Sequence, residues 1–585
     1  MSKTKTERAA TNSVDEPNYE TTGAMFSPRL WLGGTAALFW LVYTLGLNRV
    51  FGLLVDDAWY LMLAKSLATG QGYQLINSPS PGILPLFPPG WPFLLSLAYR
   101  VFPNFPANVP YLKLLSVLSV FLSAGLTYLF FVKCRAWRWP LALMMAALVA
   151  FQTEFFTMAT TTLMSECCFT VFLMLLVYLV ERADQQFAQV SGVQVSGVQV
   201  SSWAWGYVVA AALAGAGLFF VRSMGIAVLA GVFFWWLRQR QGRQALVFTA
   251  LIAALVLPWM LYARAHAPTL SQRAEQQGNI VTNYAQAFWQ KRAGSEFTGE
   301  VTLLDLPGRV AENAFSIATS DLGGILIPTI YAAVSEKNEG LANLFAFALC
   351  LIVLLGVWCV MRERVTVVEF IFAPSLLMIL LWGWQPFRFL IPYTAFLFYY
   401  LAEGLRRLLR YQYRAMHRAK EVKPFALETK WLTYALGLFL ALFLLDITAF
   451  LFIPTTAEGT RKAYYAKRFS EIEGALQWVR DSLSNDGAIT TPNPALVHLY
   501  SGRKTVSFNE PEKRWEVWKK LNVRYLALVY GLNPLPPLTR NEKNFQVIYQ
   551  HPGQLNLRVI DFGVASNRTD WQASQKSESI DLRIK

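Results

Sequence analysis

Thiols and imidazoles are scarce in this chain of 585 residues, which has 5 cysteines and 4 histidines. Cys134, Cys167, Cys168, Cys350 and Cys359 all fall in or beside long apolar runs, so the long polar segments hold no thiols to oxidise and no disulfide framework is implied. His266, His417, His498 and His551 are scattered, and no Cys/His spacing of the zinc-site kind occurs. Charge is sparse too, at 15% of residues, and acids are outnumbered by bases, 37 to 52. With 54% hydrophobic residues and a mean hydropathy of +0.34, the chain is too apolar to be a string of ordinary soluble domains.

Long apolar runs are abundant. A helix needs about 20 residues to cross the hydrocarbon of a bilayer, and roughly eleven stretches approach that length. They lie near 31–53, 111–132, 139–158, 162–180, 203–220, 223–237, 245–263, 341–360, 366–383, 388–404 and 431–453. The expected fold class is therefore an α-helical polytopic membrane protein. The polar start, Met1 to Pro28, precedes a run long enough to anchor the chain, so no cleaved leader is expected.

The distribution of the +15 net charge sets the expected topology and speaks against nucleic acid as a partner. Bases gather in alternate short loops: Lys3, Lys5, Arg8 and Arg29; Lys133, Arg135 and Arg138; Arg238, Arg240 and Arg243; Arg362 and Arg364; and a cluster from Arg406 to Lys430. The segment 181–202, with only Arg182, is the exception. Positive loops stay inside, which predicts a cytoplasmic N-terminus and an exported C-terminus; the expected location is a bacterial inner membrane. The last basic loop also suits contact with anionic headgroups.

The expected domains are a cytoplasmic tail (1–30), a transmembrane domain (31–453) with exported loops at 54–110 and 264–340, an exported α/β domain (454–565) and a disordered tail (566–585). Long loops on one face and short basic turns on the other place the working surface outside. The first long loop reads as an interfacial helix starting at Asp56 and ending at Gly70, then a Pro-rich stretch from Pro79 to Pro92 that should not be helical, with Phe87 and Trp91 at the membrane interface. Residues 189–202 repeat Gln-Val-Ser-Gly-Val, a low-complexity linker. The C-terminal part alternates helix and strand from about Ser470, with strands at 488–491, 504–508 and 524–530 and a closing hairpin at 545–560.

Asp56 and Asp57 follow the first apolar run, where carboxylates reach water at headgroup level; they read either as helix-capping acids or as reacting groups. Glu166 lies inside an apolar run, a placement that costs about 2.5–3.5 kcal/mol and so demands a partner or a cavity. Arg222 and Arg388 fall at junctions on the same predicted face, where they either snorkel to headgroups or clamp a phosphate with paired guanidinium donors.

Asp56-Asp57-Ala58-Trp59-Tyr60, then Ala64, Gly70, Gly72-Tyr73 and Phe87-Pro88-Pro89-Gly90-Trp91-Pro92, resembles the first exported loop of the GT-C polyprenyl-phosphate-sugar glycosyltransferases, the group of protein O-mannosyltransferases and aminoarabinose transferases (glycosyltransferase family 39). Shorter matches are Met164-Ser165-Glu166, Arg222-Ser223-Met224-Gly225, Leu257-Pro258-Trp259, Arg388-Phe389-Leu390-Ile391-Pro392 and, toward the C-terminus, Trp478-Val479-Arg480, Pro494-Ala495-Leu496 and Tyr500-Ser501-Gly502-Arg503.

The resemblance implies a hexosyl- or pentosyltransferase in which Asp56 is the general base, supported by Asp57 and Glu166. Arg222 and Arg388 would bind the donor phosphate, and Tyr60, Phe87 and Trp91 would shape the acceptor loop. Sugar would pass with inversion from a polyprenyl phosphate to a glycolipid, polysaccharide or protein acceptor. Where aminoarabinose transferases carry a Lys before the Pro pair, this chain has Phe87, which weighs against lipid A as acceptor. No cofactor is assigned, and a divalent cation on Asp56, Asp57 and Glu166 stays open. A lipid or sugar transporter and a non-catalytic envelope assembly protein are the alternatives; either would leave sugar transfer indifferent to Asp56→Asn.

Overall fold

The computed structural model describes residues 27–561 apart from 81, 86, 193–201, 269–283, 293–294, 417–423, 457–458, 509–516, 530–545 and 554–556. The N-terminal tail before residue 27, residues 193–201 of the repetitive linker and the tail after 561 lie outside the described residues, as does part of the last basic loop.

Every apolar run forms a helix or a helix pair. In order come α1 (Pro28–Gly46), α2 (Asp56–Ala68), α3 (Gly90–Val101), α4 (Val109–Lys133), α5 (Trp139–Ala150), α6 (Thr153–Thr161), α7 (Glu166–Gly192), α8 (Ser202–Val221), α9 (Gly225–Arg238) and α10 (Gly242–Ala265). Pro28 and Pro140 sit in the first turns of α1 and α5, where a missing N–H costs nothing. Later come helices Glu339–Glu363, Val367–Leu381, Thr394–Met416 and Pro424–Phe452. Five helices among the described residues are long and apolar enough to cross a membrane, six if the α5/α6 pair, bent by 45°, is one broken span. The expectation of eleven is higher: α9 and Val367–Leu381, at 14 and 15 residues, fall short of a full crossing, and the helices in the runs at 31–53, 162–180 and 388–404 are not apolar enough along their length to join the set.

Helices pack closely where glycine removes the side chain. At Gly356 a Cβ would overlap the Tyr400 carbonyl, and at Gly404 that of Ile352, so helices Glu339–Glu363 and Thr394–Met416 cross backbone to backbone. Helix α7 packs against α4 and α8, and α9 against Val367–Leu381.

Two features of the first long loop differ from expectation. Helix α2 is not interfacial: Asp57 through Ala64 are all buried, covered by α3 and by the C-terminal helix Pro494–Ser501. Helix α3 starts at Gly90, so Pro92 stands inside its first turn, a position proline tolerates.

The second long loop carries a hairpin of β1 (Gln290–Arg292) and β2 (Ser295–Glu300), and β3 (Pro454–Thr456) pairs with β4 (Gly459–Thr460) just past the last long helix. The helix after β4, Arg461–Asp481, begins before Ser470. Strands β5 (Ala488–Thr491), β6 (Thr505–Ser507), β7 (Val523–Leu528), β8 (Gln546–Gln550) and β9 (Arg558–Asp561) form one sheet in the order β6-β5-β7-β9-β8. β5 is parallel to β6 and β7, and β9 runs antiparallel to β7 and β8. The parallel β5/β6 pair needs a crossover, which Pro494–Ser501 supplies.

This C-terminal unit sits on the first long loop. Thr505 N–H donates to the Asn77 carbonyl at 2.8 Å, Lys504 Nζ to the Ile76 carbonyl at 2.9 Å, and Tyr500 stacks on Phe51 with ring centroids 6.1 Å apart.

Candidate active site

Four charged residues distant in sequence meet at one point. Asp56 is the first residue of α2 and Glu166 the first of α7; Arg222 follows α8, and Arg388 lies in the short helix Phe387–Leu390. Arg388 Nη2 stands 3.0 Å from Asp56 Oδ2, and its Nε is 2.9 Å from Glu166 Oε1. Arg222 Nη1 approaches the same Glu166 oxygen at 2.5 Å and donates to Ser165 Oγ at 3.3 Å. Both arginines turn inward onto Glu166 instead of snorkelling outward, and both lie near the Phe389 ring, at 5.5 Å and 5.6 Å.

Burial is graded along this chain. The Glu166 side chain is fully buried, whereas that of Asp56 is 31% exposed. Asp56 is thus the member that an arriving molecule meets. The two guanidiniums share one Glu166 oxygen, Oε1, at 2.5 Å and 2.9 Å. The nearby Thr162 hydroxyl bonds the Met158 carbonyl.

Asp57 points elsewhere. It is fully buried, its Oδ2 accepts from Gly52 N–H at 2.8 Å and its Oδ1 from Ala58 N–H at 3.1 Å. Burial, reinforced by the nearby Asp56 charge, pushes its carboxyl up to about 6, against the pull of the Gly52 amide and Lys113. Placed on backbone donors, Asp57 braces the turn that delivers Asp56.

That turn is strained. Val55 has φ 61° and ψ −52°, a rare conformation for a β-branched residue, and Asp56 N–H closes a γ-turn onto the Leu54 carbonyl at 2.6 Å. Strain of this kind costs about 1–3 kcal/mol and persists where neighbours over-determine the backbone. One such neighbour is Lys113. Buried in α4, its Nζ donates to the carbonyls of Asn48 (3.0 Å), Val50 (2.5 Å) and Thr160 (2.8 Å) and to Asn48 Oδ1 (2.9 Å).

The aromatic residues of the loop divide. The Tyr60 hydroxyl accepts from Ser165 Oγ at 3.4 Å, and its ring meets Phe87 edge-on at 5.1 Å, beside the charged cluster. The Phe87 carbonyl accepts from the Tyr73 hydroxyl at 2.7 Å. Trp91 is not at an interface: only 1% exposed, it donates from Nε1 to the Leu163 carbonyl at 2.8 Å and anchors α3 to the approach of Glu166. The sequence reading missed Lys113, Tyr284 and the hydroxyl of Ser165. Lys113 is a lone cation in an apolar run, which is a signal; Tyr284, near Ser223 and Arg222, has none.

Among the described residues no group of three or more His, Cys, Asp or Glu side chains gathers as a metal site. Asp56 and Glu166 instead face Arg388, and Asp57 is committed to backbone amides.

No protein-family model matches the chain, and no curated protein matches it. Solved structures do. ArnT from Cupriavidus metallidurans bound to undecaprenyl phosphate superposes with a TM-score of 0.54 at 11% identity, over 92% of this chain and 99% of that one. The same protein in its apo state gives 0.53 at 12% identity, over 92% and 98%. The archaeal oligosaccharyltransferase AglB from Archaeoglobus fulgidus, in complex with an inhibitory peptide and a dolichol-phosphate, gives 0.50 at 14% identity, over 86% and 69%. At such identities the likeness speaks for the fold: the chain has the GT-C fold, as its motifs suggested, and is an integral membrane protein.

Proposed function

We propose that the protein is a membrane glycosyltransferase that moves a sugar from a polyprenyl phosphate to an acceptor hydroxyl on the non-cytoplasmic face, with inversion and with Asp56 as general base. The observation that carries this reading is the run of charges from partly exposed Asp56 through Arg388 and Glu166 to Arg222. The polyprenyl phosphates held by two of the fold neighbours support the donor class.

The chemistry balances on these residues. A donor phosphate arriving at Arg388 competes with Asp56 for the guanidinium, and the carboxylate is released toward the acceptor hydroxyl. Asp56 takes the hydroxyl proton as the acceptor oxygen attacks the anomeric carbon from the face opposite the phosphate. The carbon–oxygen bond to phosphate breaks, and its electron pair leaves with the polyprenyl phosphate. As Asp56 is neutralised the leaving phosphate gains a negative charge, so two guanidiniums and one buried carboxylate meet that charge where it grows. Fixed donors of this kind need little rearrangement at the moment of transfer.

Tyr60 and Phe87, beside the cluster, would shape the acceptor entry, while Asp57 and Trp91 hold the loop. Purified protein supplied with a labelled polyprenyl-phosphate sugar and envelope extract as acceptor tests the reading. Asp56→Asn is expected to cut turnover by about 10²–10⁴-fold while the protein stays folded. Wild-type turnover in Asp56→Asn would sink the base assignment.

A further inference from the structure

We propose that Asn493 of the C-terminal unit is a positioning residue for Asp56, so that docking of this unit on the first long loop sets the rate of transfer. The proposal rests on the reading of Asp56 as general base.

The case begins at Gly52. Its backbone has φ +80°, and a Cβ there would meet Leu496 Cδ1 at 3.0 Å, so the C-terminal helix lies against this peptide. Both sides of the residue are gripped. Gly52 N–H donates to Asp57 Oδ2 at 2.8 Å, and the Gly52 carbonyl accepts from Asn493 Nδ2 at 3.0 Å. Three residues on stands Val55, the strained link to Asp56.

Asn493 can do this because its amide has two different ends. Its Oδ1 accepts from Leu496 N–H at 3.2 Å and caps helix Pro494–Ser501, which leaves Nδ2 aimed at Gly52. The side chain is fully buried, so the bond to Gly52 is shielded from water. A second attachment lies beyond the other end of α2. Asn77 and Thr505 exchange bonds, Thr505 N–H to the Asn77 carbonyl at 2.8 Å and Asn77 Nδ2 to the Thr505 carbonyl at 3.2 Å. The C-terminal unit thus holds the chain before and after the helix that begins with Asp56. A strained turn relaxes when a brace is removed, and a displaced base loses turnover more than donor affinity.

Asn493→Asp separates the two ends of the amide. The carboxylate still caps the helix through one oxygen, but it sets an acceptor against the Gly52 carbonyl. In full-length protein in nanodiscs, kcat should fall roughly tenfold to a hundredfold with the KM for polyprenyl-phosphate sugar unchanged. Backbone amides in peptides spanning 51–58 should exchange roughly fivefold to tenfold faster. Asn493→Ser, which also keeps a capping oxygen but has no second arm to reach Gly52 while it caps, should behave alike and serves if the Asp variant does not fold.

Unchanged exchange at 51–58 overturns the clamp whatever the activity. Faster exchange with wild-type kcat overturns its link to transfer. If wild type transfers nothing, or Asp56→Asn transfers normally, the glycosyltransferase reading fails while the exchange result still decides whether Asn493 holds the turn.

Discussion

Helix α7 carries an acid at each of two depths, and their surroundings are opposite in kind. Glu166, its first residue, is buried and shares one oxygen between two guanidiniums. Glu181, about 22 Å further along at helical rise, belongs to a network committed to structure. There Arg135 Nη2 reaches Glu181 Oε1 at 2.9 Å and Thr366 Oγ1 at 3.0 Å. Thr366 and Glu369 form a capping box at the start of Val367–Leu381, and Glu369 Oε1 accepts from the Tyr400 hydroxyl at 3.0 Å. Asp184, one turn past Glu181, accepts from the indoles of Trp235 at 2.6 Å and Trp236 at 2.9 Å. Buried polar groups in a structural role find their hydrogen bonds. The proposed function puts the change of partners at the Glu166 end, where a donor phosphate would join the two guanidiniums.

The contrast breaks first at Glu166→Gln. Removing that charge leaves buried Arg222 and partly buried Arg388 without their shared partner, and thermal unfolding in detergent should show a loss of about 3–5 kcal/mol. A loss below about 1 kcal/mol would mean that the arginines are not held by Glu166. Next comes acid sensitivity in the unit that braces the site. His498, buried in that unit's helix Pro494–Ser501 with Nδ1 donating to the Arg503 carbonyl at 2.8 Å, is pushed down to about 4 by burial, with Lys65 and Lys504 adding to the effect. Its folded value lies below the ordinary 6.5, so the unfolded chain binds the extra proton. Its stabilising contribution is therefore complete above about pH 6.5 and falls by about 3 kcal/mol as pH drops toward 4. Unfolding followed at Trp478 or Trp518 should show that slope in wild type and lose it in His498→Gln. The smallest effect is expected at Glu369→Gln, about 1–2 kcal/mol of stability with turnover unchanged. A matching fall in kcat there would erase the distinction between the two ends.

Much of the charged cluster was legible because acids and bases inside or beside apolar runs are costly and conspicuous. Asp56, Glu166, Arg222 and Arg388 all stand out in this way, and the fold gathers them. Their braces did not stand out. Asp57 looks equivalent to Asp56 in sequence, yet a turn at Val55 sends one side chain to the open end of the cluster and the other to the Gly52 amide. Asn493 reads as an ordinary helix cap until Gly52, far away in sequence, is brought against its other nitrogen. Trp91 has the composition of an interfacial aromatic, and only packing reveals that its indole meets Leu163. Span lengths were overread where Gln152 caps α6 and breaks one apolar run into two bent helices.

Affinity for polyprenyl phosphate, without sugar, in wild type, Arg388→Ala and Glu369→Gln tests the claim that the Asp56 end exchanges its partners for a phosphate. Loss of a charged hydrogen-bonding partner, about 1.5–3 kcal/mol, should weaken binding roughly tenfold or more in Arg388→Ala, with Glu369→Gln binding as wild type does. Equal affinity in all three proteins would contradict the account.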